Sequence, residues 1–105
     1  MAESRLARDH GLRLDSVEDA MSVISSGVNR CVFTLGDLSA DFFDLRTRLA
    51  GEVFQKLVNY RCRIAIVVPP DHELGPRVTE LTREHASHPT IRFFPTLKAA
   101  LEWED

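Results

Sequence analysis

The clearest pattern along the chain is a broad apolar stripe between residues 44 and 59, where hydrophobic side chains recur every three or four positions. This spacing is typical of a helix that buries one face against a sheet, and it predicts a helix over residues 44–59. Its apolar residues form two adjacent rows, Leu45, Leu49, Val53 and Leu57 in one and Ala50, Phe54 and Val58 in the other. The next segment, residues 63–68, contains the apolar run IAIVV, which predicts a parallel strand covered on both faces.

An earlier helix is predicted from Ser16 to Gly27. Ser16 with Asp19 resembles a capping box, in which the serine hydroxyl accepts from an early helical N–H, and an acidic residue favours the positive end of the helix. Val17, Ala20, Met21 and Ile24 have the spacing of a buried stripe. Gly27 supplies a left-handed residue that can end the helix.

The remaining pattern predicts two more strands and two more helices. Residues 30–35 and residues 91–94 are short, β-branched and aromatic, as strands are. Residues 73–85 are predicted to be a helix that buries Leu74, Val78 and Leu81. Thr96 is predicted to cap a last helix, in which Leu97, Ala100 and Leu101 face inward.

The resulting order, α-β-α-β-α-β-α, predicts a small α/β domain of two or three layers with a three-stranded parallel sheet. Residues 16–105 are expected to form this single domain. Residues 1–15 are expected to be a polar arm, with a short strand at residues 12–14 as one option. Because three strands make a thin sheet, one edge and part of one face stay open, which suggests self-association as a homodimer.

Composition and charge narrow the choice of partners. The chain has 105 residues and a net charge of −3, and its arginines are spread along the sequence, which argues against binding to nucleic acid. It has no apolar run of the ~20 residues that cross a membrane, and its first residues lack the apolar centre of a signal peptide. We therefore expect a cytoplasmic protein. Cys31 and Cys62 are expected to be reduced, core-packed thiols without a catalytic role.

Candidate chemistry lies where the turns meet at the carboxyl edge of the predicted sheet. The polar residues placed there are Asp37, Ser39, Asp41, Asp44, Asp71 and His72. Such carboxylates could hold Mg²⁺ or help to hold a small ligand. Acidic residues before helices are also ordinary N-caps, and capping accounts for Asp44 and Asp71. We therefore predict no metal and no cofactor, and keep a ligand or divalent-cation site as the alternative.

Phe42 and Phe43 are the unusual pair, because adjacent residues at a helix entrance cannot both face one core. Either both rings are mostly buried, or one of them is exposed as an anchor for a partner.

Arg46, Thr47 and Arg48 are predicted to lie in the first turn of the long helix, where cations are unfavourable. Either Asp41 and Asp44 compensate for these charges, or a bound anion does.

Catalytic motifs give little support for an enzyme. His85 and His88 have a spacing that could suit a metal, but a solvated helix end is the better explanation. The chain has no GxSxG elbow and no glycine-rich phosphate loop. These absences leave catalysis open but favour a non-catalytic role.

The segment DFFDLRTRLAGEVFQKLVNYRCRIAIVV at residues 41–68 resembles an uncharacterised bacterial family, domain of unknown function 4180. The resemblance extends to SVEDAMSVI at residues 16–24 and to LKAALEW at residues 97–103. It implies no established activity. The sequence departs from the family in its shorter and more polar N-terminus, in Arg48, where members tend to have glycine, and in Pro69 and Pro70, where they have a Gly-Asp turn.

At the level of fold, that family is similar to STAS-type domains, the anti-sigma-factor antagonist modules. Asp37, Leu38 and Ser39 resemble their partner-binding turn, but the serine that is phosphorylated in those domains is not matched here. The resemblance implies a STAS-like regulatory module that acts by protein association. The residues expected to contact a partner or ligand are Asp37, Ser39, Asp41, Phe42, Phe43, Asp44, Arg46, Thr47, Asp71 and His72.

Overall fold

The computed structural model describes residues 5–27, 30–39, 42–44, 48–69, 75–85 and 88–103. Seven helices and strands alternate along these residues: α1 (Val17–Ser26), β1 (Cys31–Thr34), α2 (Leu49–Asn59), β2 (Ile64–Val67), α3 (Pro76–Glu84), β3 (Ile91–Phe94) and α4 (Leu97–Leu101). Short 3₁₀ turns lie at Ala7–His10 and Leu35–Asp37. The predicted order of elements is confirmed, and the first two strands are each one residue shorter at both ends than predicted.

The three strands form one parallel sheet in the order β1-β2-β3. Phe33 lies beside Ile66, and Ile66 lies beside Phe93, so the middle of each strand is in register with its neighbour. Each strand reaches the next through a helix, as parallel strands require. The predicted three-stranded parallel sheet is therefore confirmed.

Helices cover both faces of the sheet. On one face, α1, α2 and α3 bury the alternating side chains that include Phe33, Ile66 and Phe93. On the other face, α4 and Trp103 pack over Val32, Ala65 and Val67. Of the two predicted forms, the structure has the three-layer one.

Local sequence signals explain the ends of α1 and α4. The Ser16 hydroxyl accepts from the amide of Asp19, and Gly27 ends α1 with a φ of 74°. The Thr96 hydroxyl accepts from the amide of Ala99 at 3.1 Å. Both predicted N-caps are confirmed, and so is the glycine stop.

The start of α2 differs from the prediction, because the helix begins at Leu49 rather than at residue 44. Arg48 is its N-cap residue and has a φ of 56° and a ψ of 15°, which is the left-handed region. A right-handed helix cannot pass through such a residue. The expectations that Asp44 caps this helix and that Arg48 lies in its first turn are therefore wrong. Val58, which the spacing assigns to the apolar stripe, is 40% exposed.

The N-terminal segment is docked against the sheet. Leu6 forms an isolated parallel bridge with Val32, and Leu14 forms another with Leu38. The carbonyl of Arg5 accepts from the amide of Val32 at 2.7 Å, and its guanidinium donates to the Leu101 carbonyl at the end of α4. These contacts cover the outer edge of β1 at Val32 and the segment that follows β1 at Leu38. In the described part of the chain, no helix has the length and hydropathy needed to span a membrane.

Candidate functional site

A groove with a volume of about 510 Å³ lies between the turn at residues 42–44, the N-terminal half of α2, and α3. Its apolar lining consists of Phe42, Phe43, Ala50, Phe54, Val78 and Leu81. Its polar lining consists of Asp44, Arg48, Glu52 and Gln55. An apolar interior with a few charged groups is the usual composition of a binding site.

Aromatic packing forms one wall of the groove. The rings of Phe42 and Phe43 meet edge to face with centroids 5.0 Å apart, and Phe42 is 5.8 Å from Phe54. Phe42 is fully buried, whereas Phe43 is half-buried and also contacts Phe93 at 6.3 Å. Both rings pack with the core and line the groove, and the half-buried Phe43 offers part of its ring to an incoming group.

Small residues in the first turn of α2 create the space. Ala50 and Gly51 both line the groove, and a Cβ added at Gly51 would meet nothing within 4 Å. Two small residues in a helix that otherwise carries Leu49, Val53 and Phe54 were a sequence signal for this gap. The prediction missed it because the gap also requires α3 to stand opposite.

The left-handed Arg48 positions the mouth of the groove. Its carbonyl accepts from the amide of Glu52 at 3.1 Å, so the helical hydrogen bonds start there. This left-handed backbone conformation favours glycine. A left-handed L-residue costs about 1–2 kcal/mol, so Arg48 holds a strained backbone beside the groove.

Asp37 and Ser39 lie outside the groove lining. Asp37 is 7% exposed, and its carboxylate accepts from the Thr34 amide at 2.9 Å and from the Thr34 hydroxyl at 3.0 Å. It therefore fixes the turn after β1. Ser39 donates its amide to the Leu14 carbonyl, and its own carbonyl accepts from the Phe42 amide. These contacts secure the segment that leads to the two phenylalanines.

The structure brings together three of the predicted contact residues, Phe42, Phe43 and Asp44, in the groove. The other predicted contact residues are Asp41, Arg46, Thr47, Asp71 and His72, and they lie outside the described residues. Four further residues line the groove but are not among the predicted contact residues. The sequence pattern assigns Val78 and Leu81 to the core, and it assigns no role to Glu52 and Gln55. Within the described ranges, no three His, Cys, Asp or Glu side chains are grouped so that they could hold a metal ion.

Both cysteines are free thiols. Burial is the main cause that raises the pKa of Cys31 to about 12, and the neighbouring Cys62 and Asp37 add to it. Burial also raises the pKa of Cys62. Thiols with raised pKa values are protonated at neutral pH and therefore make poor nucleophiles.

His85 and His88 lie behind the aromatic wall of the groove. The His85 ring is 5.6 Å from both Phe54 and Phe93, and the two histidine rings stack at 4.8 Å. Both side chains are half-buried. The pair lies at the end of α3 and keeps part of its surface exposed, as expected, and in addition both rings contact the beginning of β3.

A smaller cavity of about 310 Å³ lies at the carboxyl ends of β2 and β3. Val68, Phe93, Phe94 and Pro95 form its apolar side, and Thr79, Thr82 and Arg83 of α3 form its polar side. The Thr82 hydroxyl donates to the Thr79 carbonyl at 2.7 Å, so its oxygen can still accept.

Comparison with known proteins adds a family. The family model described as Domain of unknown function (DUF4180) matches residues 6–103. The match includes the turn, α2 and α3, so both sides of the groove lie within it. No curated protein and no solved structure matches the chain. The resemblance seen in residues 41–68 is confirmed.

Proposed function

The chain belongs to the DUF4180 family, a domain family without an assigned function, and from this premise we propose that it is a non-catalytic binding module that holds a bulky apolar side chain of a partner protein. The groove between the 42–44 turn, α2 and α3 is the binding surface. The observation that carries the proposal is the half-buried ring of Phe43 in a groove whose lining is mainly apolar. Buried anchors that fill such pockets supply most of the energy of protein interfaces.

The charges around the groove indicate the chemistry of the partner. Asp44 and Glu52 carry two carboxylates, Arg48 carries one guanidinium, and the whole chain has a net charge of −3. Charge complementarity therefore favours a partner segment whose apolar anchor is flanked by lysine or arginine. The proposal has two narrower versions. In one, the partner is a second copy of this chain, which would give a homodimer. In the other, the module has a STAS-like regulatory role.

Gly51 provides the sharpest test, because a side chain there points into open space and strengthens the helix. Peptides would be selected from a random displayed library on the wild-type protein, and their affinities measured by fluorescence polarisation. We expect the selected peptides to combine a bulky apolar residue with a neighbouring basic residue. Gly51→Leu should fill the groove and weaken their binding at least tenfold, whereas Gly51→Ala should leave it unchanged.

Tyr60→Ala serves as a second control, because Tyr60 is 56% exposed just beyond the other end of α2. Peptides that bind Gly51→Leu as tightly as the wild type, or that lose affinity equally with Tyr60→Ala, would contradict the groove as the binding surface. Sedimentation of the wild type and Gly51→Leu tests the version in which the partner is a second copy of this chain. A dimer that dissociates in Gly51→Leu would identify a second copy as the occupant.

The smaller cavity favours a second candidate function, the binding of a small anionic ligand at the carboxyl edge of the sheet. Arg83 and the two threonines face an apolar side, which suits a carboxylate or phosphate attached to an apolar body. A thermal-shift screen with phosphate, nucleotides, Mg²⁺ and small carboxylates tests it. A stabilisation that Arg83→Gln removes and Gly51→Leu retains would support this candidate, and no shift with any probe would reject it.

A further inference from the structure

The His88 side chain holds the beginning of β3. Its Nδ1 atom accepts from the amide of Thr90 at 3.0 Å and from the amide of Ile91 at 3.1 Å. Its own carbonyl accepts from Nε of Arg92 at 2.7 Å. One residue therefore binds three consecutive residues at the point where the strand enters the sheet.

The two amide contacts fix the protonation state of His88. A nitrogen that accepts from N–H groups carries no proton, so the ring is neutral and its proton is on Nε2. A second proton can go only to Nδ1. That proton would turn the acceptor into a donor that faces two other donors, and both hydrogen bonds would be lost.

The hydrogen bond of His85 has the opposite polarity, although its ring stacks on that of His88. Its Nδ1 atom lies 3.1 Å from the carbonyl oxygen of Ile91, which can only accept, so Nδ1 carries the proton. A second proton would go to Nε2, and the contact with Ile91 would survive. Of the two stacked rings, only His88 loses its backbone contacts on protonation.

The surroundings of His88 oppose a positive charge. The ionisable groups that act on it are the His85 ring from the end of α3 and the Arg92 guanidinium from β3, and both can be cationic. Phe54 of α2 and Phe93 of β3 contact the His85 ring and bring no charge. Burial, His85 and Arg92, in that order, lower the pKa of His88.

We propose that His88 is an acid-sensitive latch on the outer edge of the sheet, closed when its ring is neutral and open when Nδ1 is protonated. Opening releases the amides of Thr90 and Ile91. The Thr90 carbonyl accepts from the amide of Ile64 at 2.9 Å, and Ile91 pairs with Ile64. Release therefore loosens the pairing of β3 with β2 at its first residues, while the other end of the strand stays in place.

Amide hydrogen exchange followed by NMR tests the latch in the full chain. After correction for intrinsic exchange rates, the protection of Thr90 and Ile91 should fall at least tenfold between pH 7.5 and pH 5 in the wild type. His88→Asn should keep its protection over this range, because the asparagine oxygen can take the place of Nδ1 and does not titrate. His10→Asn, at an exposed histidine, should behave as the wild type.

Constant protection of Thr90 and Ile91 in the wild type, or an equal loss in His88→Asn, would overturn the proposal. A second measurement uses only the wild-type protein and therefore does not depend on the folding of His88→Asn. Ring ¹⁵N shifts of the wild type at pH 7.5 should show Nδ1 of His88 without a proton, and a proton on that nitrogen would exclude the latch.

Discussion

The ring of Phe54 lies 5.6 Å from the ring of His85, so one side chain of the groove wall rests directly on the histidine pair that holds β3. Phe93 contacts both rings, at 6.0 Å from Phe54 and 5.6 Å from His85. The groove and the beginning of β3 thus share an aromatic layer. A structural change at the beginning of β3 can therefore affect the groove through these packed rings.

Acid should therefore weaken binding in the groove. Opening of the latch removes the backbone contacts that keep His88 against His85, and His85 supports Phe54. We expect a groove-binding peptide without titratable groups near pH 6 to bind several-fold more weakly at pH 5 than at pH 7.5. His88→Asn should remove most of this difference. Equal pH dependence in both proteins would show that the two sites are independent.

Stability should also fall in mild acid because of His88. Its pKa in the folded state is lowered from the ordinary value of 6.5, so below pH 6.5 the unfolded chain binds more protons than the folded one. The stability that neutral His88 contributes to the fold is complete above pH 6.5 and is lost as the pH falls through the folded-state pKa. Urea unfolding at several pH values should give a flatter profile for His88→Asn than for the wild type. Parallel profiles would contradict the assignment.

Arg48→Gly should stabilise the fold. The φ of 56° at Arg48 lies in the region that glycine adopts without strain, and the strain relieved should raise the free energy of unfolding by about 1 kcal/mol. Arg48→Ala removes the same charge but keeps a Cβ, so it should give no such gain. Chemical unfolding of the three proteins measures the difference. A gain in Arg48→Ala equal to that in Arg48→Gly would show that charge, not backbone conformation, matters at this position.

Asp37→Ala should destabilise the turn after β1. Its carboxylate accepts from both the amide and the hydroxyl of Thr34, and the loss of this acceptor should cost about 1–2 kcal/mol. Asp37→Asn keeps an oxygen for the Thr34 amide, so its loss should be smaller. Thermal unfolding of the two variants tests this order. Two equally destabilised variants would indicate that the negative charge matters more than the hydrogen bonds.

The pattern of apolar residues was sufficient to predict the order of the seven elements, because the spacing of buried positions is a local property. The caps at Ser16 and Thr96 were readable for the same reason. The start of α2 was not, since an arginine at residue 48 gives no sign of a left-handed backbone. The contacts of His85 and His88 also could not be read, because they exist only when β3 packs against the end of α3.

The candidate site was predicted in part. The phenylalanine pair and Asp44 marked one wall of the groove, since paired aromatics before a helix are unusual in a small domain. The opposite wall, Val78 and Leu81, looked like ordinary core positions of α3. The groove arises from the distance between two helices across Ala50 and Gly51, and no local pattern encodes this distance.

Cys31 should be unreactive in the native protein. Its pKa of about 12 leaves almost no thiolate at pH 8, and its side chain is fully buried. We expect iodoacetamide to leave Cys31 unmodified at pH 8 in the native state and to modify it in urea, as followed by mass spectrometry. The half-buried Cys62 should react at an intermediate rate. Modification of native Cys31 at the rate of a small thiol would contradict its burial.

The central claim is that the groove binds a partner protein. NMR titration of the wild-type protein with a peptide selected on that protein tests this claim most directly. The largest shift changes should fall on Phe43, Phe54, Val78 and Leu81, with much smaller changes at Phe94 and Trp103 on the opposite face of the sheet. Changes centred on Phe94 and Trp103, with the groove signals unmoved, would contradict it.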